Sequence, residues 1–206
     1  MDFAFNSFLF FSVFITLLVI MDPFGTVPIF AGLVKKFPVA KQKALAFQAV
    51  LLAFFVIVAF ALFGEQVLAF LGISLPAIQA SGGLLLLLVA LELLTGKNQK
   101  PESDDDINVA LVPLGTPLLA GPGAIAATIV FVNQANKIED YFAIGVAIFA
   151  VHLIVYLSLR FSIPIIKLLG AGGISVATKL AGLLLAAIAV QLIVDAIFEF
   201  FKIYSG

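Results

Sequence analysis

The sequence predicts an all-α membrane protein with six transmembrane spans. They form two inverted three-span repeats, with the first and fourth helices broken. Three observations carry this. The 206-residue chain is 63% hydrophobic and 11% charged, with a mean hydropathy of +1.24; a soluble domain of that size needs more polar exterior than this supplies. Its apolar runs recur at bilayer length, and two of them are interrupted by proline and glycine. The second half also repeats the element order of the first, 99 positions on.

A spanning helix needs about 20 mostly apolar residues. Six stretches qualify: 5–33 (interrupted), 41–63, 76–95, 109–132 (interrupted), 140–160 and 176–201. VLAFLGI (67–73) and IPIIKLLGA (163–171) are too short to cross and read as re-entrant or interfacial pieces. The one long polar stretch, GKNQKPESDDD (96–106), contains an acid cluster. A charged run between two apolar halves is a solvated linker rather than a metal site. The divisions are therefore a first repeat over 1–100, an acidic cytoplasmic linker over 101–108 and a second repeat over 109–206. The N-terminus, MDFAFNSF, carries an acid and no Lys or Arg before Lys35. A secretory signal starts with positive charge, so the first apolar segment is expected to stay and span.

Lys and Arg set the orientation. With the N-terminus outside, the inner loops and adjoining helix ends hold Lys35, Lys36, Lys41, Lys43, Lys97, Lys100, Arg160, Lys167 and Lys179, against only Lys137 and Lys202 outside. Tyr141 and Tyr204 then fall at outer helix ends, where amphipathic rings favour the interface. The expectation is a multi-pass protein of the cytoplasmic (inner) membrane with both termini outside.

The repeat is visible in GLLLLLVALE (83–92) and GLLLAAIAVQ (182–191), identical at five of ten positions. At the same separation Pro23 falls on Pro122, so LLAGPGAIAAT (118–128) answers VIMDPFGTVPI (19–29). Matching leucine runs prove little, and the agreement of break positions and element order is the stronger sign. Three spans per half is an odd number, so the second half runs in the opposite sense across the membrane. That is the inverted-repeat plan of secondary transporters.

The breaks are the candidate site. Proline removes a helix hydrogen bond, and freed backbone groups in hydrocarbon cost several kcal/mol unless protein or a water-filled cavity satisfies them. Half-helices starting at matching breaks point unpaired N–H groups and partial positive charge into the centre, a ready anion site. Asp22 reads as the N-cap of such a helix and Pro23 as its first residue. Gly25 allows close approach to the backbone. The second break has Gly121, Pro122 and Gly123 with no acid, so the site is asymmetric. One carboxylate among many N–H donors suits a zwitterion, its carboxylate on helix N-termini and its ammonium facing Asp22 or unwound carbonyls. Only Thr26, Thr116 and Thr128 add polarity nearby, so the ligand's own side chain is expected to be small and uncharged.

MDPFGTVPIF (21–30) and PLLAGPGAIAATIV (117–130), in a six-span chain of this length, resemble the MarC family of bacterial and archaeal membrane proteins, over essentially the whole chain. The family includes SnatA-type transporters of small neutral amino acids, glycine and alanine. The resemblance implies that Asp22, Pro23, Phe24, Gly25 and Thr26, with Gly121, Pro122, Gly123 and Ala124, frame the substrate. Related chains often carry asparagine where this one has Asp22, which fits a capping role.

Other polar residues have blander accounts. Glu92, Asp195 and Glu199 lie near helix ends and can snorkel to water. His152, the only histidine, is mid-span with Tyr156 one turn on. With Asp22 it is a candidate for proton coupling, and its alternative is an inter-helix hydrogen bond. Gln48, Gln79 and Gln191 are expected to join helices. Gly82, Gly83 and Gly182 are expected to allow close helix approach, and the 22 phenylalanines to be mostly lipid-facing bulk.

Several functions are excluded as expectations. A net charge of −1 does not suit a nucleic-acid partner, and zero cysteines removes disulfides and thiolate metal sites. No H-E-x-x-H, G-x-S-x-G or P-loop pattern occurs, so neither an enzyme nor a cofactor is expected. The leading reading is a secondary transporter for small neutral amino acids working by alternating access. It would be driven by the proton gradient or membrane potential, with a proton or sodium ion as coupling partner and the lipid bilayer as its solvent. The alternative is a channel or ion-translocating protein of the same architecture.

Overall fold

The computed structural model describes residues 5–96 and 119–205. Among them the regular elements are seven helices: α1 (Ser7–Met21), α2 (Pro23–Val34), α3 (Val39–Leu71), α4 (Leu75–Thr95), α5 (Pro122–Asn133), α6 (Ile138–Arg160) and α7 (Ser162–Ser205). Five stretches are long and apolar enough to cross a membrane: Ser7–Val34, Val39–Leu71, Leu75–Thr95, Ile138–Arg160 and Ser162–Ile203. The sixth expected span is represented by α5, its second half. The first half of that span, the acidic linker and Thr116 lie outside the described residues.

Each helix stops where a residue makes it stop. Gly72 and Gly96 close α3 and α4 in the left-handed conformation, at φ +66° and +70°, which glycine adopts without steric cost. Ser74 caps α4 through Ala77 N–H. Asn6 caps α1, accepting from Leu9 N–H at 3.1 Å, and its amide donates to Asp140 Oδ1 at 2.8 Å. Asp140 also accepts from the backbone N–H groups of Asn136 and Lys137, so the starts of α1 and α6 are tied at one end of the bundle.

One of the two short apolar pieces corrects the sequence reading. VLAFLGI is not a separate segment: α3 runs unbroken through it to Leu71. Glu65 and Gln66 after Gly64 are good helix formers, and nothing stops the helix before Gly72. Its 33 residues span about 50 Å, well beyond a hydrocarbon core of about 30 Å. IPIIKLLGA, by contrast, is a short helical piece up to Gly170, whose φ of +64° and ψ of 175° kink α7 and set it off from the long helix that follows.

The long helices pack as a bundle with a small-residue centre. α4 and α7 share the most extensive contact and run antiparallel, while α6 packs on α1 and α3. A β-carbon at Gly83 would lie 2.9 Å from the Ala189 carbonyl oxygen and Ile193 Cγ1, and 3.2 Å from Leu192 Cβ. One at Gly182 would lie 3.3 Å from the Ala90 carbonyl oxygen and Leu94 Cγ, and 3.0 Å from Leu93 Cβ. Each residue in the second set is 99 positions before its counterpart in the first. The close approach expected of Gly82, Gly83 and Gly182 is present. The half-helices follow suit, with α5 packing on α4 and α3, and α2 on α7 and α6.

The other surface is apolar. Phe8, Phe70 and Phe198 are exposed, as expected of most of the phenylalanines, and Phe30 is an exception buried in the core. Glu92 is exposed, which fits snorkelling. Two of the three glutamines depart from expectation, Gln48 being exposed and Gln191 donating to Asp195 within its own helix at 2.7 Å, while Gln79 is buried.

Candidate functional site: two helix starts against one face of α4

The first break is one residue wide. Asp22 has φ 35° and ψ 74°, the only non-glycine residue at positive φ among those described. Its N–H still donates to the Leu18 carbonyl at 3.2 Å, and its carbonyl accepts Thr26 N–H at 3.0 Å. The carboxylate accepts Gly25 N–H at 3.1 Å, with Pro23 at the first helical position. Asp22 is therefore a true N-cap, buried at 7% exposure. Thr26 repairs the break from the other side, its hydroxyl reaching the carbonyls of Asp22 at 2.8 Å and Met21 at 3.2 Å.

A second opening lies one turn on. Pro28 sits inside α2 and has no N–H, so the Phe24 carbonyl, four residues earlier, goes without its usual helix partner. Phe24 itself is exposed, while Pro23, Gly25 and Thr26 are buried.

The second break is built differently. α5 starts at Pro122 with Gly121 as N-cap in extended conformation, φ −65° and ψ 165°, and no side chain caps it. Ile125 N–H reaches the Gly121 carbonyl at 3.1 Å. The first-turn N–H groups before it have no partner within a helix. Gly123 and Ala124 are buried and Pro122 is exposed. Thr128 is buried and turns its hydroxyl back to the Ala124 carbonyl at 2.7 Å.

Both starts meet α4. A β-carbon at Gly25 would strike the Asp22 carboxylate and lie 3.5 Å from Leu93 Cδ2. One at Gly123 would strike the Leu86 side chain, and one at Gly82 would strike Ala126, 3.7 Å from the Pro122 carbonyl. Leu86 and Leu93 are two turns apart, so they share a face and the breaks lie roughly 10 Å apart along it. Leu86 and Leu93 had no sequence signal, being two leucines among many.

His152 has different neighbours. Its Nδ1 is 2.7 Å from the Ile148 carbonyl, its ring lies edge-on to Phe54 of α3 at 5.3 Å, and it lines a cleft between α3 and α6. Tyr156 lies one turn on, accepting from Arg160 Nη1 at 3.1 Å.

Known proteins resemble this chain over nearly its whole length. A UPF0056 membrane protein of Methanocaldococcus jannaschii is 40% identical over 86% of this chain and 90% of its own length. One of Aquifex aeolicus is 36% identical over 94% of each chain. UPF0056 membrane protein YvbG of Bacillus subtilis is 33% identical over 88% of this chain and 90% of its own. No solved structure matches. The family described as MarC family integral membrane protein matches residues 7–201. Nearly the whole chain, both breaks included, is therefore accounted for, and the protein belongs to the MarC family of integral membrane proteins.

Proposed function

We propose that this protein is a secondary transporter moving small neutral amino acids, glycine and alanine, across the cytoplasmic membrane by alternating access. The observation that carries the reading is the pair of half-helices. α2 and α5 are each 12 residues long, each opens on a proline, and both starts abut one face of α4. Broken helices in corresponding positions of two halves are the binding-site pattern of inverted-repeat transporters. The reciprocal glycine contacts of α4 and α7 support the repeat itself, because an inverted pair related by a pseudo-two-fold axis makes each contact twice. In this reading there are six spans, both termini are outside, and the two repeats meet at the breaks.

The asymmetry supports one orientation for the substrate. Gly25 N–H at the start of α2 is already taken by Asp22, whereas α5 has no side-chain cap. The substrate carboxylate therefore belongs on the first turn of α5, and its ammonium belongs near Asp22 and the Phe24 carbonyl. Leu86, packed on Gly123, moves to admit it. The space left after that movement suits a hydrogen or methyl side chain. Energy comes from the proton gradient or membrane potential, since the chain carries no nucleotide motif.

Reconstitution tests this. Saturable glycine uptake into proteoliposomes, competed by alanine, is the expected result. Unsaturable flux, or conductance in the absence of amino acid, would replace the transporter with a channel of the same architecture.

A further inference from the structure

The two helix stripes that wall the cleft between α3 and α6 end in charge, and at one end only. Phe47, Val50 and Phe54 line the cleft from α3, and Phe149, Leu153 and Tyr156 from α6. One helical turn further, the α3 stripe reaches Lys43 and the α6 stripe reaches Arg160. The ring contacts Phe47–Tyr156 at 5.9 Å and Phe54–Phe149 at 6.4 Å make the helices antiparallel, so both cations stand at the same end. In the other direction the stripes continue to Val58 and Gly145, neither of them charged. Arg160 is held in place. Its Nη1 donates to the Tyr156 hydroxyl at 3.1 Å, and its Cζ lies 5.9 Å from the Tyr156 and Phe161 ring centroids. Lys43 is exposed, and among the described residues neither cation has a carboxylate partner. Phe47, Phe149 and Leu153 are exposed, so the cleft opens sideways to hydrocarbon. From Arg160 to Phe149 is roughly 16 Å along α6, about half of a hydrocarbon core of about 30 Å. The apolar part is one leaflet deep.

We propose that the cation pair and the cleft below it bind one anionic phospholipid of the adjoining leaflet. Its phosphate sits between Lys43 and Arg160, and one acyl chain runs over Phe47 and Leu153 toward Phe149. Charge complementarity selects this occupant. Two cations without carboxylates of their own favour a net negative headgroup over a zwitterionic one, whose ammonium they repel. The Tyr156 hydroxyl accepts from Arg160 and still has its proton to donate to a phosphate oxygen. Shape selects the same occupant, since free phosphate would leave the cleft uncovered and a hydrocarbon would leave the cations. The cleft, with a volume of about 180 Å³, holds a stretch of one chain, as a cavity of about 150 Å³ holds a six-carbon ring. This site is separate from the helix breaks and does not depend on the transport reading.

The chain has no tryptophan, so a single introduced one reports its own surroundings. In the full-length protein, Leu153→Trp places the fluorophore in the cleft, and Phe63→Trp places it on exposed surface at the far end of α3. Each variant is reconstituted in phosphatidylcholine bilayers containing acyl-brominated phosphatidylglycerol or acyl-brominated phosphatidylcholine, and quenching is followed against mole fraction. The expected result is a preference for phosphatidylglycerol of about tenfold or more at Leu153→Trp and no preference at Phe63→Trp. Lys43→Ala should cut the preference about fivefold, the share of one cation near a membrane surface, and adding Arg160→Gln should abolish it. Equal quenching by the two lipids at Leu153→Trp would overturn the proposal. So would the same preference at Phe63→Trp, which would mark general enrichment of anionic lipid around the protein. A preference unchanged in Lys43→Ala would do the same, and that exposed residue can be replaced without disturbing the packing. Phe149→Trp gives the reading if Leu153→Trp does not fold.

Discussion

Asp22 holds a backbone conformation that few side chains accept. At φ 35° the left-handed region costs most residues roughly 1–2 kcal/mol, with aspartate and asparagine the tolerated exceptions. It also caps α2 through Gly25 N–H. Asp22→Asn keeps both properties and should change stability by less than about 0.5 kcal/mol, retaining much of the transport. Asp22→Leu loses cap and backbone tolerance together and should cost about 2 kcal/mol or more. Equal unfolding of the two in a chemical denaturation series would remove the cap from the account. Gly25 separates packing from ligand binding. Its β-carbon would strike the Asp22 carboxylate, so Gly25→Ala should cost about 1–3 kcal/mol in the wild type. In an Asp22→Ala background the cost should fall by at least half, because the obstacle is gone. Additive losses in that cycle would mean the glycine answers to something other than Asp22.

The crossing of α4 and α7 rests on small residues at the element scale. Between lipid-embedded helices there is little hydrophobic driving force, so close packing has to supply the association. Gly83 supplies it by letting α4 approach the Ala189 carbonyl, where a β-carbon would lie at 2.9 Å. Gly83→Ala should therefore destabilise by about 1–3 kcal/mol, and Gly182→Ala by a similar amount, since its contacts are the counterparts. Gly145 is the control: it is exposed on α6 with nothing within 4 Å of an added β-carbon. Gly145→Ala should be neutral or stabilise by up to about 1 kcal/mol. Thermal unfolding in one detergent ranks the three, and a Gly83 variant as stable as Gly145→Ala would contradict the close crossing. At the bundle end, Asn6→Ala should cost about 1 kcal/mol by removing both its cap and its bond to Asp140.

The whole molecule's orientation follows from charge that the membrane sorts, not from packing. Nine of the 11 Lys and Arg residues fall on the side assigned to the cytoplasm, so a reporter fused at Gly206 should read as extracytoplasmic. Cytoplasmic activity of that fusion would reverse the orientation while leaving the helix packing as it is. For the transport reading, concentrative glycine uptake in sealed vesicles should collapse on treatment with a protonophore. Undiminished uptake in ATP-loaded vesicles after such treatment would contradict coupling to the gradient.

The amino-acid order alone determined the helical membrane class, the two breaks with Asp22 and Pro23 as cap and first residue, and the 99-residue correspondence. These are local properties: hydropathy over about 20 residues, and the backbone effects of proline and glycine at single positions. Only the tertiary structure decided which faces meet. Leu84 is 55% exposed and Leu86 5% exposed within one leucine run, yet nothing in the run distinguishes them. A soluble helix marks its outer face with polar residues. A lipid-facing helix is apolar all round, so burial leaves little trace in the order of residues. For that reason Leu86 over Gly123, and the His152 ring against Phe54 of α3, became visible only when the helices were packed.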